Sequence, residues 1–129
     1  MTEPLWIRRD LLVVIHERLL AEHGGTPGIR NEGLLESALA RPRQILAYQK
    51  ADLAELAAAY TGGILRNHPF VDGNKRTGFM AAYVFLSRNG LFLRAPERDA
   101  ATIVLELAAR RLGEAAFADW LRRNCRRRK

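Results

Sequence analysis

One stretch of the chain concentrates reactive groups: His68-Pro69-Phe70-Val71-Asp72-Gly73-Asn74-Lys75-Arg76-Thr77-Gly78. An imidazole with an ordinary pKa of about 6.5 suits proton abstraction at neutral pH. Pro69 ends whatever helix precedes it, so His68 is expected at a loop edge, open to substrate. Gly73, Asn74 and Lys75 then fall at the start of the next helix, where unpaired backbone N–H groups and the helix dipole favour an anion. Lys75 and Arg76 put two cations at that same end, against the dipole, a conflict that a bound polyphosphate resolves. Asp72 follows His68 by four residues and just precedes the helix start, so its carboxylate is placed to hold Mg²⁺ on the same phosphates. Asn74 reads either as the helix cap or as a phosphate contact. Phe70, an aromatic in a polar loop, is expected to point into the core and anchor the loop. A base, a metal ligand and an anion site thus converge on a bound polyphosphate, an arrangement suited to phosphoryl transfer.

The elements that must position these groups read as helices almost throughout, with no sustained period-two alternation. A first helix is expected after Asp10 as N-cap, with Leu11, Leu12, Ile15, Leu19 and Leu20 inward, stopping at Gly24-Gly25. Asn31 caps a second, which should end before Pro42, leaving Arg43 to Ala51 as a connection. Asp52 caps a third, with Leu53, Leu56, Ala57, Tyr60 and Ile64 on one face, interrupted over Asn67 to Gly73. A fourth runs from near Asn74 to Arg88 and stops at Asn89-Gly90. After an extended piece over Leu91 to Arg94, Pro96 suits the first turn of a fifth helix ending at Gly113, and a sixth carries Phe117, Trp120 and Leu121. The fold class is therefore all-α, a compact bundle of about six helices with the reactive loop between two central ones. The length of 129 residues fits one domain, 1–129, with a basic C-terminal tail over 122–129.

Composition narrows the function classes. The single cysteine, Cys125, has no internal partner for a disulfide, the start MTEPLWIRRD lacks the pattern of a secretory signal, and the longest uncharged apolar run, Thr77 to Ser87, is short of a membrane span. A cytoplasmic protein with no membrane partner fits. The net charge of +7 invites a nucleic-acid reading, but Arg122, Arg123, Arg126, Arg127, Arg128 and Lys129 carry six of those charges and leave the body nearly neutral. The tail is expected as a solvated helix end. His16, His23 and His68 make a poor metal cluster, which argues against a metal-dependent phosphohydrolase.

The segment HPFVDGNKRTG resembles the signature loop of the Fic/Doc family, HPFx(D/E)GN(G/K)R, and matches it at every fixed position. The likeness to Doc (death-on-curing) proteins extends through GLLESALARP at Gly33 to Pro42, DLAELAAAY at Asp52 to Tyr60 and FLSRNG at Phe85 to Gly90. By that resemblance His68 is the base, Asp72 the Mg²⁺ ligand, and Gly73, Asn74, Lys75 and Arg76 bind the phosphates of ATP, with Lys75 and Arg76 also acting in catalysis. Fic enzymes that transfer AMP have glycine where this chain has Lys75, and Doc proteins have lysine. The resemblance thus implies a toxin of a toxin–antitoxin system, a protein kinase moving the γ-phosphoryl group of ATP to a Ser/Thr hydroxyl of elongation factor Tu and arresting translation. The alternatives are AMP transfer on the same fold and a non-catalytic nucleic-acid-binding protein using the basic tail. By position, Arg43 to Lys50 corresponds to the flap with which Fic proteins hold the target, Ile45 and Leu46 docking it. The family's inhibitory pattern, (S/T)xxxE(G/N), is approached at Thr102 to Glu106 but followed by Leu107, so no inhibition in cis is assigned. A separate antitoxin of the Phd type or an equivalent is implied instead.

Overall fold

The computed structural model describes residues 3–127. The chain folds as α1 (Arg9–His23), α2 (Glu32–Tyr48), α3 (Leu53–Asn67), α4 (Asn74–Arg88), β1 (Leu91–Leu93), α5 (Glu97–Ala108), α6 (Glu114–Arg123) and β2 (Cys125–Arg127). This is an all-α bundle with one small antiparallel β1–β2 ribbon among the described residues. No helix among them is long and apolar enough to cross a membrane.

α3 is the axis. It packs on α4, α2 and α6, and it is buried on all sides from Ala54 to Leu65 except at Glu55, not on one face alone. Its small residues allow this. A Cβ on Gly63 would lie 3.4 Å from the Ala38 Cα of α2, and one on Gly62 would collide with Glu114 at the start of α6. Asp52 starts α3 through a capping box with Glu55, and Asn31 caps α2 by accepting from Leu34 N–H, as their spacing predicts. Gly24 ends α1, and α4 stops at Asn89. α1 begins at Arg9, with Arg8 rather than Asp10 at its N-cap.

Further expectations are corrected. α2 does not stop at Pro42 but runs through it to Tyr48, so most of Arg43 to Ala51 is helix and not a connection. A proline inside a helix costs about 3 kcal/mol, and tertiary contacts offset it. Arg41, just before the proline, forms two hydrogen bonds with Glu114 at 2.8 and 2.9 Å and a third with the Ala59 carbonyl at 3.1 Å. Ile45 and Leu46, carried past the proline, pack against the core. They are half-buried there, and the segment expected as a docking flap is helical as far as Tyr48.

α5 ends at Ala108, short of Gly113. Its stop is a Schellman arrangement with Arg110 in the left-handed region (φ 61°), Arg110 N–H bonding Leu107 O and Arg111 N–H bonding Glu106 O. Glycine is the usual residue there, so no local signal marks this stop. The basic tail is not merely a helix end. Arg122 pairs with Asp52 at 2.8 Å and with Asp119, and residues 125–127 pair with 91–93 as β2. Arg128 and Lys129 lie outside the described residues.

Candidate active site

The chain leaves α3 at His68, whose backbone is left-handed (φ 47°, ψ 58°) and whose N–H caps the helix by bonding Ile64 O at 3.0 Å. A non-glycine residue in this region is strained by roughly 1–3 kcal/mol and needs its surroundings to hold it. Arg30 supplies that hold. Its guanidinium donates from Nε to the His68 carbonyl at 2.7 Å and from a terminal nitrogen to the Asn67 carbonyl at 2.8 Å. The backbone on either side is clamped as well, because Pro69 O accepts from Arg30 and Asn31 N–H and Val71 N–H donates to Gly28 O. Segment 28–31 is thus a short edge paired with the reactive loop, bridged at Ile29 and Phe70. The outcome is an exposed His68 side chain standing between a buried Pro69 and a fixed helix end.

Phe70 points down, 1% exposed, and stacks on the ring of His16 with centroids 3.8 Å apart and planes 9° from parallel. His16 is itself buried and donates from Nε2 to the Asp72 carbonyl at 2.8 Å. That carbonyl only accepts, so Nε2 carries a proton. Asn74 sits in the first turn of α4, 6% exposed, and its side chain exchanges two hydrogen bonds with the Phe70 backbone, accepting from N–H at 3.1 Å and donating to C=O at 2.9 Å. Gly73 holds the cap position, and the Asn74 side chain braces the loop backbone. Its amide also lies 3.4 Å from His68 Nδ1, at the outer limit of a hydrogen bond, so it steers the ring without fixing its tautomer.

Asp72 is exposed, and its carboxylate accepts from Thr26 N–H at 3.1 Å and Gly73 N–H at 2.8 Å. Those two backbone donors, Thr26 first, hold its pKa below the ordinary 3.8. Each oxygen keeps a further lone pair for a cation. Among the described residues no three His, Cys, Asp or Glu side chains converge as a metal site, so the arrangement suits an ion held by one carboxylate plus phosphate oxygens, as Mg²⁺ commonly is. Gly73 turns the chain into α4 with φ 79°. No side chain caps α4 and no acid lies in its first turn, so the N–H groups there face outward beside the exposed Lys75 and Arg76. The residues present fit a polyphosphate with a divalent ion.

These groups line one cleft of about 690 Å³. His68, Asp72, Gly73, Asn74, Lys75 and Arg76 all border it, so the sequence-predicted residues are brought together. Its other walls were not legible beforehand: His23 at the end of α1, and Glu97, Ala101 and Val104 of α5. The Fic/DOC family model matches residues 6–86 of this chain, which span the loop and the four helices around it. The chain is 34% identical over 119 residues to "Protein kinase doc" of Escherichia phage P1, covering 91% of this chain and 93% of that protein. It is 45% identical over 76 residues to "Toxin Doc" of Mycolicibacterium smegmatis, covering 56% of this chain and 57% of that protein.

The chain belongs to the Fic/Doc family. Its relatives place it with the Doc subfamily, as the lysine at position 75 implies. Two features of this Fic/Doc site had no signal in the motif. Arg30 and His16 lie far from the loop in sequence, and nothing in a lone arginine or a lone histidine announces that it holds a carbonyl of the site. The approximate inhibitory pattern at Thr102 to Glu106 is used otherwise: Thr102 Oγ1 bonds the Arg98 carbonyl at 2.9 Å and Glu106 bonds Arg111 at 2.7 Å.

Proposed function

We propose that this protein is a Doc-type toxin and a protein kinase, transferring the γ-phosphoryl group of ATP to a Ser/Thr hydroxyl of a translation factor of the elongation factor Tu class. The observation that carries the reading is the exposed His68 beside an uncapped helix start flanked by Lys75 and Arg76. ATP, when bound with Mg²⁺, supplies the phosphoryl group. The N–H groups of α4 and the Lys75 and Arg76 charges bind its phosphates, Asp72 holds the ion, and His68 takes the proton from the accepting hydroxyl as that oxygen bonds to phosphorus. Lys75, where AMP-transferring Fic enzymes have glycine, favours release of ADP over transfer of AMP. The likeness to a protein named as a kinase and to another named as a toxin supports both halves of the reading. A cytoplasmic toxin needs restraint, and a Phd-type or equivalent antitoxin is the partner proposed.

The test is the origin of the label. Elongation factor Tu incubated with the protein and Mg²⁺ should take up label from γ-³²P-ATP and none from α-³²P-ATP, and Lys75→Gly should lower the γ transfer sharply. Label from the α position alone would assign the chain to AMP transfer.

A further inference from the structure

Asp72 is held from α1 as well as from its own loop. Thr26 N–H, just past the end of α1, reaches Oδ2 at 3.1 Å, Gly73 N–H reaches Oδ1 at 2.8 Å, and the Asp72 carbonyl accepts from His16 Nε2 at 2.8 Å. His16 is 3% exposed in the middle of α1, a costly place for a polar ring without a partner. Its ring is fixed in plane. Phe70 covers one face with centroids 3.8 Å apart, and Asn74 holds Phe70 through two hydrogen bonds to its backbone. Gly73 passes beside the ring, where an added Cβ would be in van der Waals contact with His16 Cδ2 and Nε2 at 3.7 Å. A brace therefore runs from α4 through Asn74, Phe70 and His16 to the backbone of Asp72.

The peptide between Asp72 and Gly73 is trans, so its C=O and N–H point in opposite directions. Drawing the carbonyl toward the buried His16 turns the Gly73 N–H the other way, and that N–H is the one on Asp72 Oδ1. One imidazole donor thus sets the tilt of the peptide that opens α4 and the place of the carboxylate beside it. A ring that served packing alone needs no N–H on this carbonyl, and phenylalanine or leucine would fill the space without burying a polar group.

We propose that His16 is a positioning residue for the metal ligand: through the Asp72 carbonyl it holds the carboxylate ready for Mg²⁺. The inference rests on the assignment of Mg²⁺-ATP to the cleft at His68. His16 acts through Asp72, and its effect is separate from that of Arg30, which grips the carbonyl of the base.

The test compares two donor-less replacements of different shape, His16→Phe and His16→Leu, with His16→Gln, which keeps an N–H at the reach of Nε2. In the ligand-free proteins, hydrogen exchange followed by NMR should show the Gly73 amide exchanging roughly tenfold faster in the first two than in wild type or His16→Gln. Calorimetry with a non-hydrolysable ATP analogue at increasing Mg²⁺ should show the same two variants needing roughly tenfold more Mg²⁺ for half-saturation, with affinity for the metal-free analogue unchanged. Either donor-less variant decides the matter by itself where the other does not fold. Phe117→Leu, a buried substitution in α6 outside the cleft, controls for a loosened core and should keep the wild-type Mg²⁺ requirement. Wild-type Gly73 exchange and Mg²⁺ requirement in the donor-less variants would overturn the proposal, as would an equal rise in that requirement for Phe117→Leu or His16→Gln. A wild-type protein that binds no Mg²⁺-nucleotide, with the exchange difference intact, would instead contradict the kinase reading and leave the hold on Asp72 standing.

Discussion

His68 is held from behind. Among the described residues its ring has one polar contact, the Asn74 amide at 3.4 Å, whereas its carbonyl and that of Asn67 are gripped by Arg30. Arg30 is thus a positioning residue. Arg30→Lys keeps a charge but loses the planar fork that reaches two carbonyls, and should lower the transfer rate roughly tenfold with the KM for ATP unchanged, because a displaced base costs reaction geometry and not nucleotide affinity. Steady-state kinetics with both substrates varied separates the two. A second prediction concerns Asp72, whose pKa is lowered by the Thr26 and Gly73 N–H groups. A depressed carboxylate stabilises the fold above its ordinary value near 3.8 and loses that contribution as pH falls through the lower native value. The melting-temperature gap between wild type and Asp72→Asn should therefore be constant from neutral pH to about pH 5 and close below about pH 4. A gap that widens on acidification would show that the tie is not to the carboxylate.

At the scale of elements, the site is a loop trapped between two helix ends and a glycine-rich edge. Gly25, with φ 127°, passes so close to the loop that an added Cβ would meet Leu20 at 2.8 Å and Asp72 Oδ2 at 3.0 Å. Gly25→Ala should destabilise the protein by about 1–3 kcal/mol and weaken Mg²⁺-ATP binding by moving the carboxylate, readable in thermal denaturation and calorimetry on one sample. The sequence made some elements plain because their signals are local. Asn31 and Asp52 announce helix starts by their own side chains, and Gly24 an end by its backbone freedom. It misled at Pro42 and Arg110 for the opposite reason. Pro42 is tolerated because Arg41 reaches Glu114 and Ala59 on other helices, and Arg110 ends α5 in a conformation that residue type does not favour. The loop residues were legible as a set, but Asn74's commitment to Phe70 was not, since cap, ligand and loop brace are all common roles for an asparagine.

At the scale of the whole molecule, the two halves of the chain do different work. Residues matched by the family model build the loop and the bundle around it, while α5 supplies a wall of the cleft at His68, and Arg122 of α6 with the β1–β2 ribbon folds the basic tail back onto the body. That placement accounts for one of the six tail charges that in the sequence alone suggested nucleic acid: the tail's first arginine is paired with Asp52 and Asp119. The central claim is that His68 is the base of a phosphoryl transfer from the helix-start cleft, and the most direct measurement is the intact mass of purified elongation factor Tu after incubation with Mg²⁺-ATP and either wild-type or His68→Ala protein. Wild type should add a single phosphoryl mass. His68→Ala, with an unchanged melting temperature because an exposed ring contributes little packing, should add it about 10²–10⁴-fold more slowly. An unmodified target, an adenylyl adduct, or equal rates for the two proteins would contradict the account.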